Sequence, residues 1–400
     1  MNISIEYIAT FLLIAAIVSM TAQRLKIPYT VGLMLTGIVL AVSPFPSDDI
    51  EVTKELIFTI FLPPLIYEAA IHIKWRELLN DLPVILTFAT VGVLLSAGIT
   101  AAGMYYLAGW ELQSAILFGV LIAATDPVSV ITTFREAGVH GRLRLLVEAE
   151  SLFNDGAAAV AFSIALAFAT NGGITTSDTA QIFLITVAGG ILCGALVAGA
   201  MLVLAGRTDD HLVELTLTAV AAYGSFLLAE HFHLSGVLAS LVAGLLTGNL
   251  GSLGSFTDKG REAVVSFWDF IAFVVNSLIF MLIGIEVAYQ NFTNLLFSIV
   301  VAILLVLLGR AIAIYLLSVV FLRSGLQISF NHQHILFWGG LRGALALALA
   351  IRLLLIRAPE SMFWETQPFL ILIFSVMILG QVKPHLKYGS MKSHCQQLLV

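Results

Sequence analysis

Thirteen long, nearly uncharged apolar runs follow one another along the 400 residues of this chain. They lie roughly at 5–21, 30–44, 55–71, 83–108, 114–134, 146–170, 180–205, 213–230, 235–250, 264–286, 294–322, 334–356 and 367–382. A helix needs about 20 mostly apolar residues to cross the hydrocarbon core of a bilayer, and most of these runs reach or approach that length. Charged residues make up only 11% of the chain, against about 25% in a soluble domain. With 59% hydrophobic residues, a soluble fold would lack the polar surface needed to face water. The chain is therefore read as an all-α integral membrane protein of about thirteen transmembrane helices. A spanning β-barrel would show alternating segments of about ten residues, and these runs are continuous. A net charge of −6 speaks against nucleic acid as a partner, and two cysteines against a disulfide scaffold.

Lysine and arginine favour cytoplasmic loops. Alternating sides from a cytoplasmic first loop places fourteen of the nineteen basic residues inside and only Lys54, Arg352 and Arg357 outside. That distribution predicts an outer N-terminus and a cytoplasmic C-terminus. Residues 1–382 read as one transmembrane domain and 383–400 as a short cytoplasmic tail. No Walker A loop is present, so uphill transport by this chain would have to run on an ion gradient.

Ionisable groups inside the spans carry the functional information, because a central Asp or Arg costs about 2.5–3.5 kcal/mol to insert. Three segments concentrate them. In the fifth run, Thr125-Asp126-Pro127 places a carboxylate beside a proline that leaves the Ala123 carbonyl without its helical donor. The helix is predicted to break there. Transporters tolerate such breaks where they line a binding cavity. In the sixth run, Glu150-Ser151-Leu152-Phe153-Asn154-Asp155-Gly156 puts Ser151 and Asp155 on one helix face. With Asn154 alongside, this segment offers hard oxygen ligands suited to a small cation. In the twelfth run, Gly339, Gly340 and Gly343 surround Arg342, which weakens the helix and suggests a second break. A buried guanidinium cannot shed its proton, so Arg342 requires an acid, and Glu150 is the expected partner. Glu68 follows Pro63-Pro64 by one turn in the third run. Arg310 has no obvious neighbour and reads as structural. Asp269 and Asn276 could polarise a funnel or simply join helices. The pairs His231/His233 and His332/His334 offer too few ligands for zinc, and Gly190/Gly194 reads as internal packing.

Taken together, FLPPLIYE (61–68), TDP (125–127), ESLFNDG (150–156), GVLASLVAGLLTGN (236–249) and GGLRG (339–343) resemble the cation/proton antiporter-1 family, and in particular its NhaP-type sodium/proton antiporters. The resemblance runs over essentially the whole chain. It implies two inverted six-helix repeats, with a dimerisation bundle and a core bundle that holds two crossing broken helices, and hence a homodimer. It implies that Asp155 is the main ion and proton carboxylate. Thr125, Ser151 and Glu68 would complete a Na+ site with it, Asn154 would lie beside it and Asp126 would sit at the crossing. Glu150 and Arg342 would form a structural bridge, and Pro127, Gly339, Gly340 and Gly343 would break the helices. The implied function is exchange of Na+ (or Li+ or K+) for H+ by alternating access in a bacterial plasma membrane, with no cofactor and no enzymatic activity.

One carboxylate that can hold either a proton or a cation gives obligatory exchange if only the occupied site crosses. A channel or uniporter is the alternative reading, but a pore would suit a ring of charges, and this chain has one asymmetric acidic cluster. An intramembrane hydrolase using Asp126 and Asp155 is disfavoured, since no substrate-binding domain is apparent and Pro127 and Asn154 suit ion ligation.

Overall fold

A computed structural model describes residues 5–25, 29–43, 55–125, 130–131, 134, 139–171, 176–251, 254–288 and 296–340. Among them every regular element is a helix. In order these are α1 (Ile5–Leu25), α2 (Tyr29–Val42), α3 (Leu62–Ile71), α4 (Trp75–Leu86), α5 (Val93–Ala108), α6 (Leu112–Leu121), α7 (Arg142–Asn171), α8 (Thr176–Ala205), α9 (His211–His231), α10 (Gly236–Leu250), α11 (Asp258–Ala288), α12 (Leu296–Val320) and α13 (Phe330–Gly339). Two π-helical turns, Glu55–Phe61 and Thr87–Gly92, lead into α3 and α5. Six helical stretches among the described residues are long and apolar enough to cross a membrane, and five more are apolar but shorter. Asp126, Pro127, Arg342, Gly343, the end of the twelfth run, the thirteenth run and the tail all lie outside the described residues.

Most apolar runs coincide with a helix to within a few residues. Two depart further. The helix expected over 83–108 begins at Trp75 and continues through Pro83. Its added turns are polar, so hydropathy alone does not see them. The Thr87 hydroxyl donates to the Pro83 carbonyl at 2.7 Å, just past the proline. The helix expected over 114–134, with its predicted break near Asp126-Pro127, ends its first part at Leu121, and residues 130, 131 and 134 are helical again. Helices usually end at or before the residue preceding proline. Here a tight turn at Ile122 and Ala123 ends α6 before Thr125 and the Asp126-Pro127 pair.

Pro63 and Pro64 have a visible consequence. Each removes a backbone donor, which leaves the carbonyls four residues earlier without helical partners. One of them, that of Ile60, accepts instead from the Tyr223 hydroxyl of α9 at 3.0 Å. A missing intrahelical bond has become a tie between helices.

Close crossings hold the bundle together. α2 packs along α11, α12 along α5, and α10 against both α3 and α8. Gly37 of α2 and Gly284 of α11 meet backbone to backbone: a Cβ on Gly37 would stand 2.2 Å from the Met281 carbonyl oxygen. Gly190 and Gly194 of α8 lie against the backbone of Ser235 and Ala239, so this pair does serve internal packing. At the other end of α7, Arg142 binds both oxygens of Asp81 and the carbonyls of Leu326 and Gln327. It fastens α4 and the segment before α13 to the start of α7.

Gly37→Val should force α2 and α11 apart and lower the melting temperature in detergent. Overpacking of this kind costs about 1–3 kcal/mol. An unchanged melting temperature would show that the crossing is not tight.

Candidate functional site

Three buried side chains converge where α6 ends against the middle of α7. Thr125 follows the last turn of α6, and Ser151 and Asn154 lie one turn apart on α7. Each is only 1% exposed. The Asn154 amide donates to Thr125 Oγ1 at 3.0 Å, and the Thr125 hydroxyl donates to Ser151 Oγ at 3.2 Å. Because the helix stops short of it, Thr125 sits in non-helical backbone and can turn its hydroxyl toward α7. Buried polar atoms are almost always paired, yet Asn154 Oδ1 finds no donor among the described residues. Asp155, next along α7, is half-buried and engaged. The result is a knot of hydroxyl and amide oxygens beside one carboxylate, with one oxygen open for a further donor or a cation.

Glu150 is held apart from this knot. Its Oε1 accepts from Arg310 Nη1 at 2.7 Å and its Oε2 from Nη2 at 2.9 Å. The pair is buried on both sides. Sequence alone assigns Arg342 to Glu150 and leaves Arg310 without an obvious neighbour; among the described residues Arg310 of α12 is a cation on Glu150, and Arg342 lies outside them. The physical reason is packing order. α12 runs alongside α5, and Arg310 projects across to α7, a neighbourhood that no local sequence pattern records. Nη2 of Arg310 also donates to the Leu336 carbonyl at 3.0 Å. Leu336 belongs to the last turn of α13, whose carbonyls lack intrahelical donors and carry the negative end of the helix dipole. One guanidinium thus neutralises a buried carboxylate and caps a helix that stops at Gly339. Gly340 is what lets it in: a Cβ there would lie 2.4 Å from Arg310 Nε.

A second polar group lies on α3 and α11. His72, at the C-cap of α3, sits one turn beyond Glu68, with Nε2 at 3.2 Å from Glu68 Oε1 and 3.0 Å from Asp269 Oδ1. Glu68 therefore shares its described polar contacts with His72 and Asp269, rather than with the Thr125–Ser151–Asn154 knot. Inspection of the sequence passes over His72. The available signal was its i, i+4 spacing from Glu68, which places the two on one helix face.

Residues 9–387 match the family model described as the transmembrane sodium/hydrogen exchanger. The chain is 40% identical over 328 residues to the Na(+)/H(+) antiporter ApNhaP of Aphanothece halophytica, a match covering 82% of this chain and 63% of that protein. It therefore spans less than two thirds of that relative's length. It is 32% identical to the Na(+)/H(+) antiporter NhaH of Halobacillus dabanensis, over 95% of this chain and 97% of that one. Its fold superposes on the sodium proton antiporter MjNhaP1 of Methanocaldococcus jannaschii with a TM-score of 0.80, at 22% identity and 97% coverage of both chains.

Removing one member of a buried ion pair costs about 3–5 kcal/mol. Glu150→Ala and Arg310→Ala should each lower stability in detergent, and the double variant should lose clearly less than the two losses added. Additive losses in this double-mutant cycle would show that the two side chains do not interact.

Proposed function

The chain belongs to the transmembrane sodium/hydrogen exchanger family, and from that premise we propose that it exchanges Na+ for H+ across a bacterial membrane by alternating access. The observation that carries this reading is the buried oxygen knot of Thr125, Ser151 and Asn154, with Asn154 Oδ1 unpaired among the described residues, standing beside Asp155. The antiporter names of its relatives support it. The complete fold in this proposal has thirteen spanning helices in two inverted repeats, the N-terminus outside, the C-terminus in the cytoplasm, and a homodimer as the working form.

The chemistry follows from the donors. Na+ is a small, hard cation that prefers oxygen ligands. The hydroxyls of Thr125 and Ser151 and the carboxylate of Asp155 supply them, and in this proposal Asp126 flanks the crossing. A proton on Asp155 and a sodium ion at Asp155 neutralise the same charge, so each excludes the other. Moving an uncompensated carboxylate through a low-dielectric barrier is costly. The empty, charged site therefore stays where it is, and only a loaded site changes sides. Exchange follows without a separate coupling device.

The state of Glu150 bears on stoichiometry. Both of its oxygens are taken by the Arg310 guanidinium, a permanent cation. With Asn at position 154, Asp155 is left as the single titrating carboxylate of the knot. One cation then exchanges for one proton, and no net charge moves.

Two measurements test this. Asp155→Asn should insert and fold yet show no exchange in proteoliposomes; counter-transport near the wild-type rate would overturn the role of Asp155. Clamping wild-type proteoliposomes at opposite potentials with potassium and valinomycin should leave the initial exchange rates nearly equal. One net charge across 100 mV is worth about 2.3 kcal/mol, so a several-fold change on reversal would reveal a second proton carrier and refute the one-for-one cycle.

A further inference from the structure

The α3–α11 seam holds a group of side chains that the exchange cycle does not require as a unit. Glu68 Oε1, His72 Nε2 and Asp269 Oδ1 all lie within 4.8 Å of one another. Two carboxylates and an imidazole, brought together from two helices, form a donor set different in kind from the all-oxygen knot at Thr125 and Ser151. We propose that Glu68, His72 and Asp269 bind a divalent transition-metal cation of the zinc class. This goes beyond the exchange reading and does not depend on it, because binding is a property of the folded chain.

Distances fit first. Zinc holds nitrogen and oxygen ligands at about 2.0–2.2 Å, which in a tetrahedral site separates neighbouring donors by about 3.3–3.6 Å. Two of the three edges here are already 3.2 and 3.0 Å. Opening them by a few tenths of an ångström, with a small rotation of Asp269, makes room for the ion. Three protein ligands leave a fourth position for water.

Charge fits next. Two carboxylates and a neutral imidazole carry −2 between them, which a divalent cation cancels. An uncompensated charge in a partly buried seam is expensive, so a monovalent ion would leave the site unbalanced. Donor chemistry points the same way: Ca2+ and Mg2+ take oxygen ligands, whereas imidazole suits zinc and its neighbours. Access is graded, with the side chain of Glu68 19% exposed, that of His72 24% and that of Asp269 43%. The ion would enter past Asp269 and finish against Glu68.

Rigidity is the last element, because a metal site works only if its ligands are held. The residues preceding Glu68 and Asp269 are Tyr67 and Trp268, both almost wholly buried. Their rings pack at 4.7 Å. The Tyr67 hydroxyl donates to Thr247, and the Trp268 indole donates to Thr218. Behind them, Gly248 of α10 lies against the end of α3, where a Cβ would stand 2.1 Å from the Ile71 carbonyl oxygen. Two ligands are thus set by locked aromatic neighbours and the third by the helix end beside them. A bound cation would clamp α3 to α11.

The test uses the full chain, purified in detergent and stripped of metal. Co2+ serves as an optical probe of the ligand field, and Zn2+ is titrated calorimetrically. One Zn2+ per chain is expected to bind at this site, about tenfold or more weakly in His72→Ala and in Asp269→Asn, and unchanged in His231→Ala, which removes a histidine elsewhere. Melting temperatures confirm folding, and His72→Gln replaces His72→Ala if that variant fails to fold. Failure of the wild type to bind zinc at micromolar concentrations, or undiminished binding in both site variants, would overturn the proposal. Zinc binding in a chain that exchanges no ions would uphold the site and refute the exchange reading; exchange without zinc binding would do the reverse.

Discussion

A guanidinium that can never lose its charge sits between three helices, and much of the core is arranged to accommodate it. Arg310 is nearly buried, so it must be neutralised where it stands. Glu150 does this with both oxygens, and the Leu336 carbonyl takes one of the remaining donors. These contacts join the middle of α7 to α12 and to the end of α13. They lie on the same stretch of α7 as Ser151, Asn154 and Asp155. The pair therefore sets the height and rotation of the segment that carries the proposed ion site, while taking no part in holding the ion. Gly340 belongs to this arrangement too, as the space the guanidinium needs.

A bilayer offers no water to satisfy backbone groups freed by prolines and helix ends, so protein must supply their partners. Two such debts are met visibly. The Ile60 carbonyl, freed by Pro64, accepts from Tyr223, and the Leu336 carbonyl accepts from Arg310. In both cases a local defect becomes a contact between helices. Among the described residues two buried side-chain atoms find no partner, Arg310 Nε and Asn154 Oδ1, and the second lies where the proposed cation would sit. In the exchange reading, this open amide oxygen next to a carboxylate is a ligand for the cation.

Much of this was legible in the sequence. Hydropathy located most of the described helices, the i, i+4 spacing put Ser151 and Asp155 on one face of α7, and the resemblance to the antiporter family joined Thr125 to them. What could not be read were the contacts between distant elements. Arg342 is the natural partner for Glu150 when judged by motif, and Arg310 looks solitary within its apolar run. That Arg310 reaches Glu150 depends on which helices are neighbours and how each is rotated, and neither is written locally. The same holds for Asp269: on its own helix it reads as polarising a funnel or joining helices, and it meets His72 and Glu68 only because α11 lies beside α3. The early end of α6 was a matter of degree, since proline fixes that a helix must stop but not how many residues ahead of it.

The three carboxylate centres show how environment, and not residue type, assigns a role. Glu150 is bound at both oxygens by a permanent cation and acts as a strut. Asp155 follows Asn154 on α7, and in the exchange reading its charge is met by a mobile ion. Glu68 lies between these cases, since it shares its charge with a histidine and with a second acid from another helix. A fixed counter-ion makes a carboxylate structural, a set of neutral oxygens leaves it available to a monovalent cation, and a neighbouring imidazole with a second carboxylate favours a divalent one. Because Glu150 depends on Arg310 of α12 and the Glu68–His72 pair on Asp269 of α11, repacking either helix would change the chemistry of one carboxylate.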